Sequence, residues 1–192
     1  MSWTFTAARS RGEPVTATGA ILEQVLDGTY PIWNEGITRR AYAQWNEAQM
    51  ATPWGRAHLR RVALVDHEQL LSSAKEYRFQ AFAGGRAISV IGIGAVCTPT
   101  ERRGQGHARA LVEAIIAHAR AGGCDLALLF SEIGAAYYER MGFRVLPRAV
   151  SEVARWALLP CHLAHPVLVH APEPGRAAPA MRPAQSATRL RI

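Results

Sequence analysis

One junction constrains the fold of this chain more than any other. Residues 87–97, AISVIGIGAVC, form a nearly unbroken apolar run, and RRGQGHARALVEAIIAHARAGG begins five residues later, at 102. An apolar run of that length reads as a strand buried on both faces. Gly92 and Gly94 inside it predict a bulge or a closely approaching neighbour. The second segment opens with Arg102, Arg103, Gly104 and Gly106. It then places Ala108, Leu111, Val112, Ile115, Ile116 and Ala119 on one face of a helix. Arg109 and Glu113 lie off that face as an i,i+4 pair, and Gly122–Gly123 end the helix. DLALLF, 125–130, is a second buried strand. A right-handed crossover would lay it parallel to the first.

The surrounding chain completes an α/β domain. SWTFTAA (2–8) reads as a short strand. Residues 20–36 carry helical spacing as far as Pro31, and 38–51 read as a helix capped by Thr38. Residues 58–82 predict two strands around a turn at Asp66–Glu68. Residues 134–142 predict a short helix closed by Gly142, and 143–147 begin another strand. The expected domain is 1–165, with its core in 58–147. From 166 to 192 the composition turns to Pro, Ala and Arg and reads as a disordered tail. Pro160 and Pro166 interrupt the last apolar stretch, 156–171, and argue against a closing strand there.

Charge narrows the partners. The net charge is +7, yet residues 1–143 hold 15 basic and 13 acidic side chains, and 144–192 hold 7 and 2. The excess belongs to the tail, which argues against a nucleic-acid-binding face on the domain. Lys75 is the single lysine. Cys97, Cys124 and Cys161 are odd in number and form no Cys-x-x-Cys pair, so neither a disulfide framework nor a metal site is expected. No apolar run nears the roughly 20 residues of a membrane span, and the first residues lack an apolar leader. The expectation is a cytoplasmic protein with no membrane partner.

A buried strand that enters a glycine turn and then a helix makes an anion site. Glycines let successive N–H groups face one concavity, and the helix start adds free N–H groups and a positive dipole end. The nucleotide patterns fail here. A Walker loop requires Gly-Lys-Ser/Thr, and the dinucleotide fingerprint requires glycine at 109, where this chain has arginine.

RGQGHA (103–108) resembles the Arg-x-x-Gly-x-Gly/Ala signature of the Gcn5-related N-acetyltransferases, with Arg103, Gly106 and Ala108 in its marked positions. AAYYERMGF (135–143) is similar to that family's aromatic-Tyr-x-x-x-Gly-Phe element, and the resemblance spans about residues 60–147. It implies a mixed, mostly antiparallel sheet, flanked by helices, with a central parallel strand pair splayed around the cofactor. It also implies direct transfer of an acetyl group from acetyl-CoA to a primary amine of a small molecule or peptide, in a ternary complex.

Carried onto this chain, the resemblance assigns Val96, Cys97 and Thr98 to the pantetheine arm and thioester. Arg103, Gly104, Gln105, Gly106, His107 and Ala108 fall to the pyrophosphate, with Arg109 at the rim. Tyr138 would protonate the leaving thiolate, while Tyr137 supplies packing. Ser131 and Gly134 stand where many relatives have Asn and Ala, and Ser131 keeps one cofactor hydrogen bond. The general base is open among five carboxylates that could reach the cleft directly or through water: Glu132, the candidate set beside Tyr138, and Glu76, Glu47, Glu35 and Asp66. Tyr30, Trp33, Tyr42, Trp45 and Trp54 fall where this family shapes its acceptor site. Cys97 reads as a structural thiol. The rival reading is a non-catalytic CoA-binding module with a degenerate acceptor site, and a homodimer is compatible with either.

Overall fold

The computed structural model describes residues 13–83, 85–131, 133–146 and 167–170. The chain divides into two compact units, residues 1–77 with 94–115, and residues 78–93 with 116–192. Among the described residues the sheet has seven strands in the order β1-β2-β3-β4-β5-β7-β6, mostly antiparallel, with β4 and β5 parallel. This is the mixed architecture that the resemblance implies.

In the first unit, β1 (Glu13–Thr16), β2 (Leu59–Asp66) and the part of β3 (Gln69–Ala83) up to Tyr77 run antiparallel, with Val15 opposite Ala63 and Arg61 opposite Lys75. The β2–β3 turn falls where the sequence puts it. His67 and Glu68 both take left-handed backbone, φ 44° and 64°, which suits the right-handed twist of the flanking strands. Gln24 braces the turn: its amide donates to Glu68 O and its carbonyl accepts from Leu70 N, both at 2.9 Å. Ala17, Val25, Ala63 and Leu70 are buried together, with Val15, Ile21 and Val65 packed against them.

Three helices accompany these strands. α1 (Gly19–Trp33) continues past Pro31, where the spacing predicts a stop. Pro31 lies in the last turn, so its missing N–H forfeits one terminal bond without breaking a helix interior. α2 (Arg39–Ala51) starts at Thr38, whose hydroxyl accepts from Ala41 N at 3.2 Å. α3 (Pro53–His58) has no counterpart in the sequence reading, which begins a strand at 58. Its signal is Thr52-Pro53: Thr52 accepts from Gly55 N at 2.8 Å, and proline suits the first helical position.

β4 (Arg86–Cys97) and α4 (His107–Ala121) each contribute residues to both units. The predicted face of α4 is the buried one, with Leu111, Val112, Ile115, Ile116 and Ala119 all under 7% exposed. In the second unit Val90–Ile93 pair in parallel with Leu126–Leu129 of β5 (Leu126–Phe130). α5 (Ala136–Glu139) is shorter than the predicted helix, because the left-handed glycines Gly134 and Gly142 bracket it. β6 is Arg144–Val145.

The largest correction concerns the end of the chain. Val167–His170, which composition assigns to the tail, form β7, antiparallel to both β5 and β6. Leu168 within it is fully buried. The local pattern VLVH is strand-forming and contains no proline. The predicted strand at 2–8 and residues 171–192 lie outside the described residues. Among the described residues no helix is long and apolar enough to cross a membrane.

Thr38→Ala removes the cap of α2 and should cost about 1 kcal/mol of unfolding free energy, read by denaturant titration.

Candidate functional site

The end of β4 and the turn after it belong to the first unit. The glycines of β4 predict a bulge or a close neighbour, and a close neighbour occurs: Tyr77, whose Cε2 would lie 3.2 Å from a Cβ placed on Gly94. The left-handed residue of the strand is Ala95 (φ 47°), not a glycine. Beyond Ala95 the backbone is pinned. Ser72 Oγ donates to Cys97 O at 3.1 Å and lies 3.1 Å from Thr98 Oγ1, and Arg103 Nε donates to Thr98 O at 3.1 Å. Cys97 is 5% exposed and its thiol donates to Gly28 O at 3.5 Å. Burial pushes the Cys97 thiol up against the opposing pull of Arg103, so the sulfur is held protonated.

The glycine turn is an open cradle. Gly104 (φ 75°) and Gly106 (φ 82°) both take the left-handed region, and a Cβ on either would meet nothing within 4 Å. Arg102 N and Arg103 N close the preceding 3₁₀ turn on Pro99 O and Thr100 O. The amides of Gly104, Gln105, Gly106, His107 and Ala108 donate to no group among the described residues. His107 Nδ1 is likewise buried without a partner, while its Nε2 meets Gln105 Oε1 at 3.3 Å. Free donors and a helix start converge here, as an anion site requires. Of the flanking arginines, Arg109 pairs with Glu113 at 2.8 Å and Arg102 donates to Gln69 Oε1 at 2.5 Å. Arg103 is exposed beside the turn.

Tyr138 belongs to the second unit. It is the buried member of its pair, 6% exposed, and its ring meets Tyr137 and Phe143 edge-on at 5.0 and 5.9 Å. The packing expected of Tyr137 therefore falls on Tyr138 as well. Ser131 is also buried, and its hydroxyl donates to Gly134 O at 2.5 Å. The two positions that depart from the family's pattern thus close one loop. The Ser131 proton is committed, leaving its oxygen as an acceptor. Glu132 lies outside the described residues. Glu76 is 2% exposed, Glu47 and Glu35 are exposed, and Asp66 lies 3.6 Å from His67 on the hairpin turn.

The sequence reading passes over a polar group on β2 and β3. Arg61 is 2% exposed, donates to Asn46 Oδ1, and has an unpartnered Nε. Ser73 Oγ is buried and unpartnered. Lys75 Nζ donates to Gln49 Oε1 at 3.0 Å and lies 5.5 Å from the Trp45 ring centre. Burial and the Arg61 charge push Lys75 down to about 8, and burial pushes Tyr77 up to about 12. The polar residues at 73, 75 and 77, at strand spacing, were the available signal.

The chain belongs to the acetyltransferase (GNAT) domain family, whose model matches residues 27–146. Solved structures share the fold at low identity. N-acetylglutamate synthase from Neisseria gonorrhoeae, complexed with coenzyme A and N-acetyl-glutamate, is 15% identical with a TM-score of 0.61, over 86% of this chain and 36% of that one. A probable N-acyltransferase from Enterococcus faecalis is 18% identical with a TM-score of 0.57, over 71% and 33%. A GNAT acetyltransferase from Brucella melitensis, in complex with acetyl-CoA, is 20% identical with a TM-score of 0.50, over 69% and 82%. The chain thus spans about a third of the length of the first two. No match was found among curated proteins.

Lys75 generates a pH-dependent prediction. Between about pH 8 and its ordinary value of 10.5 the unfolded chain keeps a proton that the folded chain has released, so the Lys75 contribution makes stability rise with pH across that window. At pH 7 Lys75→Met should be the more stable protein, by on the order of 1–2 kcal/mol. The gap should close by about pH 10, read from paired denaturant titrations.

Proposed function

We propose that this protein is an acyl-CoA-dependent N-acetyltransferase that carries an acetyl group directly from acetyl-CoA to a primary amine in a ternary complex. The observation that carries the reading is the run of unpartnered amides from Gly104 to Ala108 at the start of α4, with His107 Nδ1 buried beside them. A set of donors of that kind suits the pyrophosphate of coenzyme A, and the chain's family membership points to the same ligand. The Neisseria and Brucella proteins hold coenzyme A and acetyl-CoA.

In this reading Gly104, Gln105, Gly106, His107 and Ala108 bind the diphosphate through main-chain N–H groups, and Arg103 adds charge. Arg109 is less available, being paired with Glu113. Acetyl-CoA supplies the acyl group already activated as a thioester. Backbone groups of Val96, Cys97 and Thr98 hold the pantetheine arm, and a strand-end N–H polarises the carbonyl as an oxyanion donor. The pinning of Cys97 O by Ser72 and of Thr98 O by Arg103 keeps that backbone in place. The acceptor ammonium must lose a proton before attack, and a carboxylate accepts it, Glu132 or the buried Glu76. Tyr138 returns a proton to the leaving sulfur, a fitting task for a phenol of ordinary pKa near 10. Ser131 offers one acceptor oxygen to the coenzyme. The buried, protonated thiol of Cys97 argues against an acyl-cysteine route.

The non-catalytic alternative rested on a broken final strand, and β7 removes that ground. Turnover decides between the two: acetyl-CoA with a panel of amines should release free CoA.

Gly106→Asp sets a carboxylate in the cradle and should weaken acetyl-CoA binding at least tenfold by calorimetry. Gly36→Asp is its control, because Gly36 has the same left-handed backbone (φ 81°) and open surroundings. Tyr138→Phe should lower kcat at least tenfold and leave acetyl-CoA affinity within about twofold.

A further inference from the structure

Arg61, Ser73 and Lys75 project from one face of the β2–β3 ladder in the first unit. Arg61 and Lys75 are directly opposed in register, which places their Cβ atoms about 5 Å apart. Ser73 precedes Lys75 by two residues on the same strand, roughly 7 Å along it and on the same side. α2 covers this face, supplying Asn46 to Arg61 and Gln49 to Lys75.

Two opposed cations in a largely buried place are unfavourable without a counter-charge. Among the described residues neither has one. Burial pushes Arg61 below its ordinary value, opposed by Tyr42 and Tyr77 and by no carboxylate, and burial and the Arg61 charge push Lys75 down. The amide oxygens of Asn46 and Gln49 supply dipoles, not charge. Two donors stay unused on the same face: Arg61 Nε, on a residue 2% exposed, and Ser73 Oγ, on a residue 1% exposed. A guanidinium edge, a hydroxyl and an ammonium are the donor set for a carboxylate. Lys75 is half-buried, with the exposed Trp45 beside it, and forms the approach.

The position bears on the acceptor. Tyr77 follows Lys75 by two residues on this face, and its ring approaches Gly94 of β4. β3 and β4 are neighbours in the sheet, and Val96, Cys97 and Thr98, to which the proposed reaction assigns the thioester, follow Gly94 along β4 and just beyond it.

We propose that Arg61, Ser73 and Lys75 form a seat for a carboxylate of the acceptor, so that the substrate class is an amine that also carries a carboxylate group. The inference rests on the acetyltransferase reading for its substrate, but the seat itself can be tested without turnover.

The test pairs ω-amino carboxylates, from β-alanine to 6-aminohexanoate, with alkylamines of matching length, in the wild type, Lys75→Gln and Ser73→Ala. CoA release should favour the carboxylate member of the best pair at least tenfold in kcat/KM. Lys75→Gln should abolish that preference and leave the alkylamine rate unchanged, and Ser73→Ala should reduce it. Equal rates for the members of every pair would overturn the seat and leave the acetyltransferase reading intact. Absence of release from any amine would count against that reading, and the seat is then decided by binding alone. Lys75 is the only lysine, so a protein labelled with ¹³Cε-lysine gives one side-chain signal. Hexanoate should raise the titration midpoint of that signal and hexylamine should not; an unmoved midpoint with hexanoate overturns the seat.

Discussion

A helix cannot satisfy its own first amides, and α4 begins where no other part of the described chain does so. The N–H groups of residues 104–108 have no partner among the described residues, and the two left-handed glycines between them have open surroundings. This arrangement demands much from its surroundings. The strand before it must end in a fixed place, hence the bonds from Ser72 and Arg103. The helix after it must be anchored, hence the buried stripe from Leu111 to Ala119. Binding energy for an anion is stored as unmet hydrogen bonding, and the packing around the turn prevents the turn from collapsing to meet that need itself.

The same principle recurs on the β2–β3 face with side chains in place of amides. Arg61 and Lys75 oppose each other without a described carboxylate, and Ser73 adds an idle hydroxyl. A protein selected only for stability would gain by replacing such a group with apolar residues. In the proposed reading ligands complete both sets of donors in this unit, a diphosphate at one and a carboxylate at the other.

Much of this was legible in the sequence, for physical reasons. Periodicity gave α2 and α4, because each buries one face and so writes its period into the residues; a turn between strand-forming runs gave the β2–β3 hairpin, and unbroken apolar runs with the handedness of the crossover gave the parallel pair. The glycine turn was legible because residues that tolerate φ near +80° are few. What escaped depended on tertiary context. α3 is only six residues long, too short to show a period. The left-handed position of β4 is Ala95 although Gly94 directly precedes it, a choice that no local pattern announces. β7 was hidden because tail composition dominates 166–192 and the described strand, Val167–His170, is four residues long. The Arg61–Ser73–Lys75 group was invisible because no local pattern announces that two cations on different strands will meet.

β7 has a consequence for the order in which the molecule can be completed. It lies between β5 and β6 in the sheet, yet it follows β6 by more than 20 residues in the chain. While the polypeptide is being synthesised, β5 emerges with an open hydrogen-bonding edge. β6 cannot close that edge, because its own ladder runs to β7. Unpaired edges of that kind recruit other chains. Until His170 has left the ribosome, and can set its ring over Gly142 and against Phe143, the nascent protein has an adhesive flank that the finished one does not.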